Sequence, residues 1–499
     1  MTENQIITGR DLIEAGWQPG PVMGAALEIA EMLLANNIQA IDVIKQLGQI
    51  RQAPFDYQND PQFGTLATRL IDLEEPGQQA PPSPSIRDTP ISYQTWGSDF
   101  EPITLQQLDN AAHLPISQAA ALMPDGHPGY GLPIGGVLGT ENSVIPYGVG
   151  MDIACRMRLS IFDEPPNLLN AQRERFKKAL IFNTRFGIGK RNGEWHDRER
   201  RDHPLLDDPR WQMLPLLRRQ HDKAVRQMGT SGTSNHFAEW AALTVLEDVP
   251  RLGLKAGEAR LCFVSHSGSR GVGATIAQEY TRIAKAAHPN LPKKYQELAW
   301  LDMDSDDGQA YWLAMNLAGD FASACHQTIH ETVIAAAGLE VTAFVENHHN
   351  FAWEEIHGGK SLIVHRKGAT PAGKDVLGVV PGTMADKGYL VLGLGNEASL
   401  SSSSHGAGRP RSRSVSKQMI SRAQRDAYLY KRGVELLNPD GGVDEAPQAY
   451  KNPAAVMAEQ TDLVRPLATF MPMMVMMASD DKFGRKKKKG QGKGKKRRR

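Results

Sequence analysis

Gly148-Val149-Gly150-Met151-Asp152-Ile153-Ala154-Cys155 sets a carboxylate three residues before a thiol. On a regular strand these two side chains would point to opposite faces, so a bend or a helical turn is needed to bring them together. Gly148 and Gly150 tolerate such a bend. A carboxylate and a thiolate held side by side repel unless a cation lies between them, which points toward a metal. Taken alone, the same pattern also describes a surface Asp near a core Cys.

Working outward, three more contexts bear on that choice. They are Asn235-His236-Phe237, Ser265-His266-Ser267-Gly268-Ser269-Arg270 and His348-His349-Asn350-Phe351. A lone histidine is more often a satisfied structural group than a ligand. Three of them framed by Gly, Asn or Ser, together with the Asp–Cys pair, predict one or two metal sites. Thiolate and imidazole favour zinc, whereas a set of mixed sulfur, nitrogen and oxygen donors also accepts manganese. The other cysteines read as packing. Cys262 lies in the apolar run Leu261-Cys262-Phe263-Val264. Cys325 falls on a helical stripe through Tyr311, Met315, Ala318, Ala322 and Ile329.

A fourth histidine lies in Ser401-Ser402-Ser403-Ser404-His405-Gly406-Ala407-Gly408-Arg409. Small residues let a bulky ligand reach the backbone, and Arg409 and Arg413 suit phosphate oxygens. A neutral imidazole there can attack phosphorus. The local composition is equally that of a flexible Ser/Gly loop.

The chain of 499 residues is long enough for one large or two ordinary domains, and its composition is that of a globular protein, 40% hydrophobic and 23% charged. No long uninterrupted apolar run is present, and the first residues lack a signal-peptide pattern. Three cysteines make a disulfide framework improbable and place the expected setting in a reducing cytoplasm. Residues 485–499 hold eleven Lys or Arg and no acid, so the formal net charge of +1 becomes −10 over residues 1–484. A basic tail over 480–499 is expected to be disordered and to attract polyanions, although a solvated tail without a role has the same composition.

Composition divides the rest. Residues 1–74 read as a helical extension, residues 75–90 with five prolines as a linker, and residues 91–479 as the main domain. Gly9-Arg10-Asp11-Leu12-Ile13 through Pro19-Gly20-Pro21 resembles the start of the RNA-binding helical tail of CCA-adding enzymes. It equally resembles an ordinary helical hairpin with a Pro-Gly-Pro turn.

The motifs of the main domain, taken in order, resemble those of RtcB ligases. They begin with Met123-Pro124-Asp125-Gly126-His127-Pro128-Gly129-Tyr130-Gly131 and Pro133-Ile134-Gly135-Gly136-Val137. The stretches around Asp152, His236, His266 and His349 follow, then His365-Arg366-Lys367-Gly368-Ala369-Thr370 and Pro381-Gly382-Thr383-Met384. Last come His405-Gly406-Ala407-Gly408-Arg409 with Ser412-Arg413, and Asp444-Glu445-Ala446-Pro447 with Ala449-Tyr450-Lys451.

The resemblance implies an α+β fold of packed β-sheets surrounded by helices, with a central dinuclear metal site. Two Mn²⁺ ions would share Cys155, one held also by Asp152 and His236, the other by His266 and His349. His405 would take GMP from GTP, and Asp125 would handle protons nearby. Asn235, Arg409 and Arg413 would hold phosphates, and Glu239 and Tyr450 would contact guanine. The implied substrate is tRNA or rRNA with a 3′-phosphate or 2′,3′-cyclic phosphate on one end and a 5′-hydroxyl on the other.

Two departures stand out. The family loop Pro-Gly-Ser-Met-Gly-Thr-Ala-Ser-Tyr is here Pro381-Gly382-Thr383-Met384-Ala385-Asp386-Lys387-Gly388-Tyr389, and the family's terminal Lys-Gly has no counterpart. Both lie where the nucleotide binds in relatives. They leave open a metal-dependent phosphodiesterase that opens cyclic phosphates without ligating.

Overall fold

The computed structural model describes residues 7–17, 21–36, 38–58, 60–74, 85–187, 201–411, 413–438 and 442–478. The basic tail and most of the proline-rich stretch therefore lie outside the described residues. The chain divides into two compact units, Met1–Pro82 and Ser83–Arg499.

The first unit is helical, with helices Gly9–Glu14, Pro21–Ala35, Ala40–Gln52 and Gly64–Glu74. Val43, Leu47 and Ile50 recur at steps of four and three and are fully buried. With Leu12, Ala26, Ala30 and Leu66 they form a core belonging to this unit alone.

The second unit holds two large sheets. One has five strands in the order Tyr93–Thr95, Ser117–Tyr130, Leu132–Thr140, Lys360–Lys367 and Asn350–His357. The main path of the other runs Leu377–Val380, Gly388–Gly393, Val464–Met477, Phe237–Val245, Ala259–Ser267, Arg156–Ile161 and Ala343–His348, with Glu435–Leu436 beside Val464–Met477. Its two ends approach each other, and the Val379 amide donates to Asn347 Oδ1 (2.7 Å). Apolar residues from successive strands, among them Met157, Leu243, Val264, Val345, Val379 and Phe470, fill the inside of this near-closed barrel. The fold is thus mixed α and β, with helices packed around the sheets.

The 32-residue helix Asp306–Ala337 is capped by Ser305, whose hydroxyl accepts from the Gly308 amide (3.0 Å). Tyr311, Met315, Ala318, Ala322, Cys325 and Ile329 all lie on its buried side, and Cys262 is buried within Ala259–Ser267. Among the described residues no helix is long and apolar enough to cross a membrane.

Residues 85–90 differ from the linker that their composition predicts. The Arg87 amide donates to the His113 carbonyl (3.0 Å), and its guanidinium donates to the carbonyls of Leu114, Pro115 and Ser117. Ile86 packs against the core. These carbonyls lie just after the helix Pro102–Ala112, where buried backbone acceptors need donors, and Arg87 supplies them.

Candidate metal centre and catalytic cleft

The strand register delivers the metal-ligand candidates to one end of the barrel. His266 pairs with Met157 on one side and Phe237 on the other, and Arg156 pairs with His348. Cys155, His236 and His349 each lie one residue outside a paired strand at that end. The chain continues from His349 into Asn350–His357, so the joint between the two sheets carries a ligand candidate.

The bend between Asp152 and Cys155 centres on Ala154, which holds φ +56°. Its amide donates to the Asn350 carbonyl (2.6 Å), and the Cys155 amide donates back to the Asp152 carbonyl (3.1 Å). Ser234, just before Asn235, has φ +68°, and Arg270 has φ +56°. Three non-glycine residues in this left-handed region around one site mark backbone held in place by its surroundings.

Two donor groups result, each with its atoms within 4.8 Å of one another. They are Cys155, His266 and His349, and Asp152, Cys155 and His236. Cys155 Sγ lies 3.0 Å from His266 Nε2 and 3.4 Å from His236 Nε2. His236 Nε2 lies 3.0 Å from Asp152 Oδ2, and the Nε2 atoms of His266 and His349 are 3.2 Å apart.

The tautomers follow from the partners. His266 Nδ1 faces the Asn235 carbonyl (3.1 Å), which only accepts, so Nδ1 carries the proton and Nε2 presents a lone pair. His236 Nδ1 faces Arg270 Nη1 (2.8 Å), which only donates, so a proton on Nε2 bridges to Asp152 where a cation would otherwise sit.

Burial sets the charges. It lowers His266 to about 3 and puts His349 and His236 below the usual imidazole range, so all three are neutral near pH 7. Burial, reinforced by the Asp152 charge, pushes the Cys155 thiol well up. Burial also acts to raise Asp152, but the hydrogen bond from His236 and nearby positive charge, Arg270 included, outweigh it and hold the carboxyl near 2. Neutral imidazoles, an ionised carboxylate and a thiol that can ionise only beside a positive charge together fit a metal centre.

His405 is next to it, its ring centroid 4.9 Å from that of His349. The fully buried Asp125 lies beneath. Its Oδ2 accepts from the His405 and Gly406 amides (3.0 and 3.2 Å) and lies 2.7 Å from His405 Nδ1, in reach but not aligned for a hydrogen bond. Gly408 lets this happen. At its φ of +69° a Cβ would fall 2.4 Å from the Asp125 carbonyl oxygen.

These groups face a cleft of about 890 Å³. Asn235, Glu239, Arg409 and Tyr450 also line it. Burial holds the Glu239 carboxyl well above its usual range. Arg409 is largely engaged within the protein. It pairs with Glu445 (2.5 Å) and donates to the Asp444 carbonyl (2.9 Å) and the Tyr450 hydroxyl (3.0 Å). Arg413 opens the helix Arg413–Met419, and its side chain is outside the described residues. Met477, on the last strand, lines the same cleft.

Sequence reasoning passed over Arg270, Ser269 and Lys367. The Ser269 amide donates to Asp152 Oδ1 (3.1 Å) and fixes that carboxylate. Lys367 is buried in the cleft wall and donates to the Tyr147 carbonyl (2.9 Å) and the Tyr130 carbonyl. All three lie inside recognised motifs, but nothing in their residue type marks them apart from their neighbours.

The arrangement defines a candidate metal-binding centre of mixed sulfur, nitrogen and oxygen donors, two groups sharing one cysteine, with His405 beside it. Residues 107–478 match the family model described as tRNA-splicing ligase RtcB. The chain is 32% identical over 413 residues to an RNA-splicing ligase RtcB1 of Escherichia coli, covering 77% of this chain and 96% of that one. It is 31% identical over 428 residues to an RNA-splicing ligase RtcB of Mycobacterium tuberculosis, covering 74% and 99%. To a tRNA-splicing ligase RtcB of Nanoarchaeum equitans it is 31% identical over 440 residues, covering 75% and 91%. The chain belongs to the RtcB family.

Proposed function

We propose that this protein is a GTP- and Mn²⁺-dependent RNA ligase. It joins a 2′,3′-cyclic phosphate or 3′-phosphate end to a 5′-hydroxyl end in RNA repair or tRNA splicing. The observation that carries the reading is His405, seated on Asp125 and beside His349 of the Cys155, His266 and His349 group.

Asp152, Cys155 and His236 would hold one manganese ion and Cys155, His266 and His349 the other; bound there, the pair supplies positive charge against phosphate oxygens. With Nδ1 turned to Asp125, His405 is left with Nε2 as its nucleophile. Nε2 attacks the α-phosphorus of GTP, the bond to pyrophosphate breaks, and a phosphoramidate forms. Asp125 stabilises the positive charge that the ring gains at Nδ1. Water opens a cyclic phosphate to a 3′-phosphate. An oxygen of that phosphate then attacks the GMP phosphorus and His405 leaves, restoring the neutral ring. The 5′-hydroxyl of the second strand attacks the activated 3′-phosphate, loses its proton, and GMP departs.

Glu239 and Tyr450 are the candidates for the guanine, and Asn235, Arg409 and Arg413 for phosphates. For Arg409 this requires that phosphate displace Glu445 or share the guanidinium with it. A second reading, a phosphodiesterase that opens cyclic phosphates and stops, draws on the altered loop. There Thr383 donates to Asp386 (2.6 Å), a contact made by residues that replace the family's own.

Incubation with Mn²⁺ and α-labelled GTP separates the two. An acid-labile GMP adduct on the wild type, absent from His405→Ala, is the expected result. A metal-loaded wild type that takes no GMP would favour the phosphodiesterase.

A further inference from the structure

Outside the catalytic cleft, a second depression of about 440 Å³ is bounded by the loop that departs from the family pattern and by the helix Arg422–Arg432. Lys387, Tyr389, Tyr428, Arg432 and Lys451 line it, and Tyr450 lines both it and the catalytic cleft. The altered loop is tied to the helix. The Tyr428 hydroxyl donates to Asp386 Oδ1 (3.0 Å), and Arg432 pairs with the same carboxylate (2.7 Å) and lies 4.9 Å from the Tyr428 ring centroid.

A second observation is independent of this cavity. Residues 409–432 carry eight Lys or Arg and one acid, in a body whose net charge over residues 1–484 is −10; Arg409 and Arg425 are buried, while Arg411, Arg422, Lys431 and Arg432 are exposed. This run begins in the catalytic cleft, where Arg411 is exposed, and ends at Arg432 on the rim of the second depression. On the same helix Tyr430 is 88% exposed. Cations interleaved with tyrosines, leading from a reactive histidine to a nucleotide-sized cavity, are what an unpaired nucleic-acid strand requires: phosphates follow the charges and bases lie on the rings.

We propose that the second depression and the exposed cations Arg411, Arg422, Lys431 and Arg432 form a track for single-stranded RNA, the depression taking one unpaired nucleotide of the strand whose end enters the catalytic cleft. The proposal rests on the RNA-ligase reading for the identity of the polyanion. It differs from that reading in placing recognition on Lys387, in the loop where this chain departs from its family, and on Tyr389 and Tyr428 beside that loop.

Ultraviolet cross-linking of an unstructured 5′-hydroxyl octaribonucleotide to the full-length protein, without GTP, followed by peptide mapping, tests it. Adducts are expected on peptides containing Tyr389 or Tyr428. The Lys387→Glu/Arg432→Glu variant should lose those adducts and bind the RNA at least about tenfold more weakly, with a salt dependence shallower by about two charges. Its thermal melting and GMP labelling serve as controls for folding. No adduct on either tyrosine peptide, or a variant that melts like the wild type and binds RNA equally well, would overturn the track. Adducts on these peptides in a protein that never takes GMP would leave the track standing and remove the ligase.

Discussion

Lys367 is the residue whose burial has the plainest consequence for pH. Its ammonium sits among the carbonyls of Tyr130 and Tyr147, 4.9 Å from the Tyr147 ring centroid, and burial lowers it to about 7 from 10.5. Between those two values the unfolded chain binds the proton that the folded chain releases, so this residue makes stability rise as pH climbs from about 7 toward 10.5. Below pH 7 the buried amine is charged in both states and the full penalty of burying it remains. A Lys367→Met variant lacks that slope. Melting temperatures measured from pH 7 to pH 10 should therefore show the variant losing ground to the wild type as pH rises, and parallel curves would mean that the amine stays protonated. The ligand candidates stand out in sequence because Asp152, Cys155, His236, His266 and His349 differ in type from their neighbours, and the fold brings them together. What orients them does not stand out. The tautomer of His266 depends on a carbonyl thirty-one positions away, and a carbonyl is present at every position.

Among the elements, the turn from strand Ala259–Ser267 into helix Arg270–Ala287 does the most to shape the metal centre. A Cβ at Gly268 would fall 2.3 Å from Asp152 Oδ1 and 2.6 Å from Oδ2, so only glycine leaves that carboxylate its place. Gly268→Ala should keep the fold and weaken ion binding at the Asp152 group by about 10- to 100-fold, the range typical when a ligand's support is disturbed. Calorimetric titration with Mn²⁺ would then show one strong site where two are expected of the wild type; unchanged binding at both would show that Asp152 shifts without consequence. The long helix Asp306–Ala337 was readable from its spacing because steps of three and four describe a helix whatever surrounds it. The near-closure of the barrel was not, since the end strands Leu377–Val380 and Ala343–His348 approach each other through a side-chain hydrogen bond and not through strand pairing. Residues 85–90 misled for the converse reason. Prolines and polar residues signal a linker, while the carbonyls that Arg87 satisfies belong to another part of the chain.

For the whole molecule, charge is divided unevenly along the chain. Eleven cations in residues 485–499 follow a body of net charge −10. Removing residues 485–499 should weaken RNA binding most at low salt and reduce its salt dependence, while His405 still takes GMP. Binding isotherms across a salt series would check this, and identical curves for the two forms would deny the tail any role in holding RNA. Composition changes abruptly at the proline-rich stretch, and the chain divides within it into Met1–Pro82 and Ser83–Arg499. Family membership followed from motifs that keep their order between residues 123 and 451. The departures of the loop at 383–388 could be seen in sequence as differences, but their joint position on one cavity wall needed the folded chain.

The contact between Asp125 and His405 joins positions 280 residues apart. During synthesis the carboxylate would leave the ribosome well before its histidine, and the donor groups would gather from segments made in between. A chain interrupted before residue 405 carries every metal-ligand candidate and lacks the proposed nucleophile. Under the ligase reading, reactivity toward nucleotide therefore comes later in synthesis than the metal-ligand candidates.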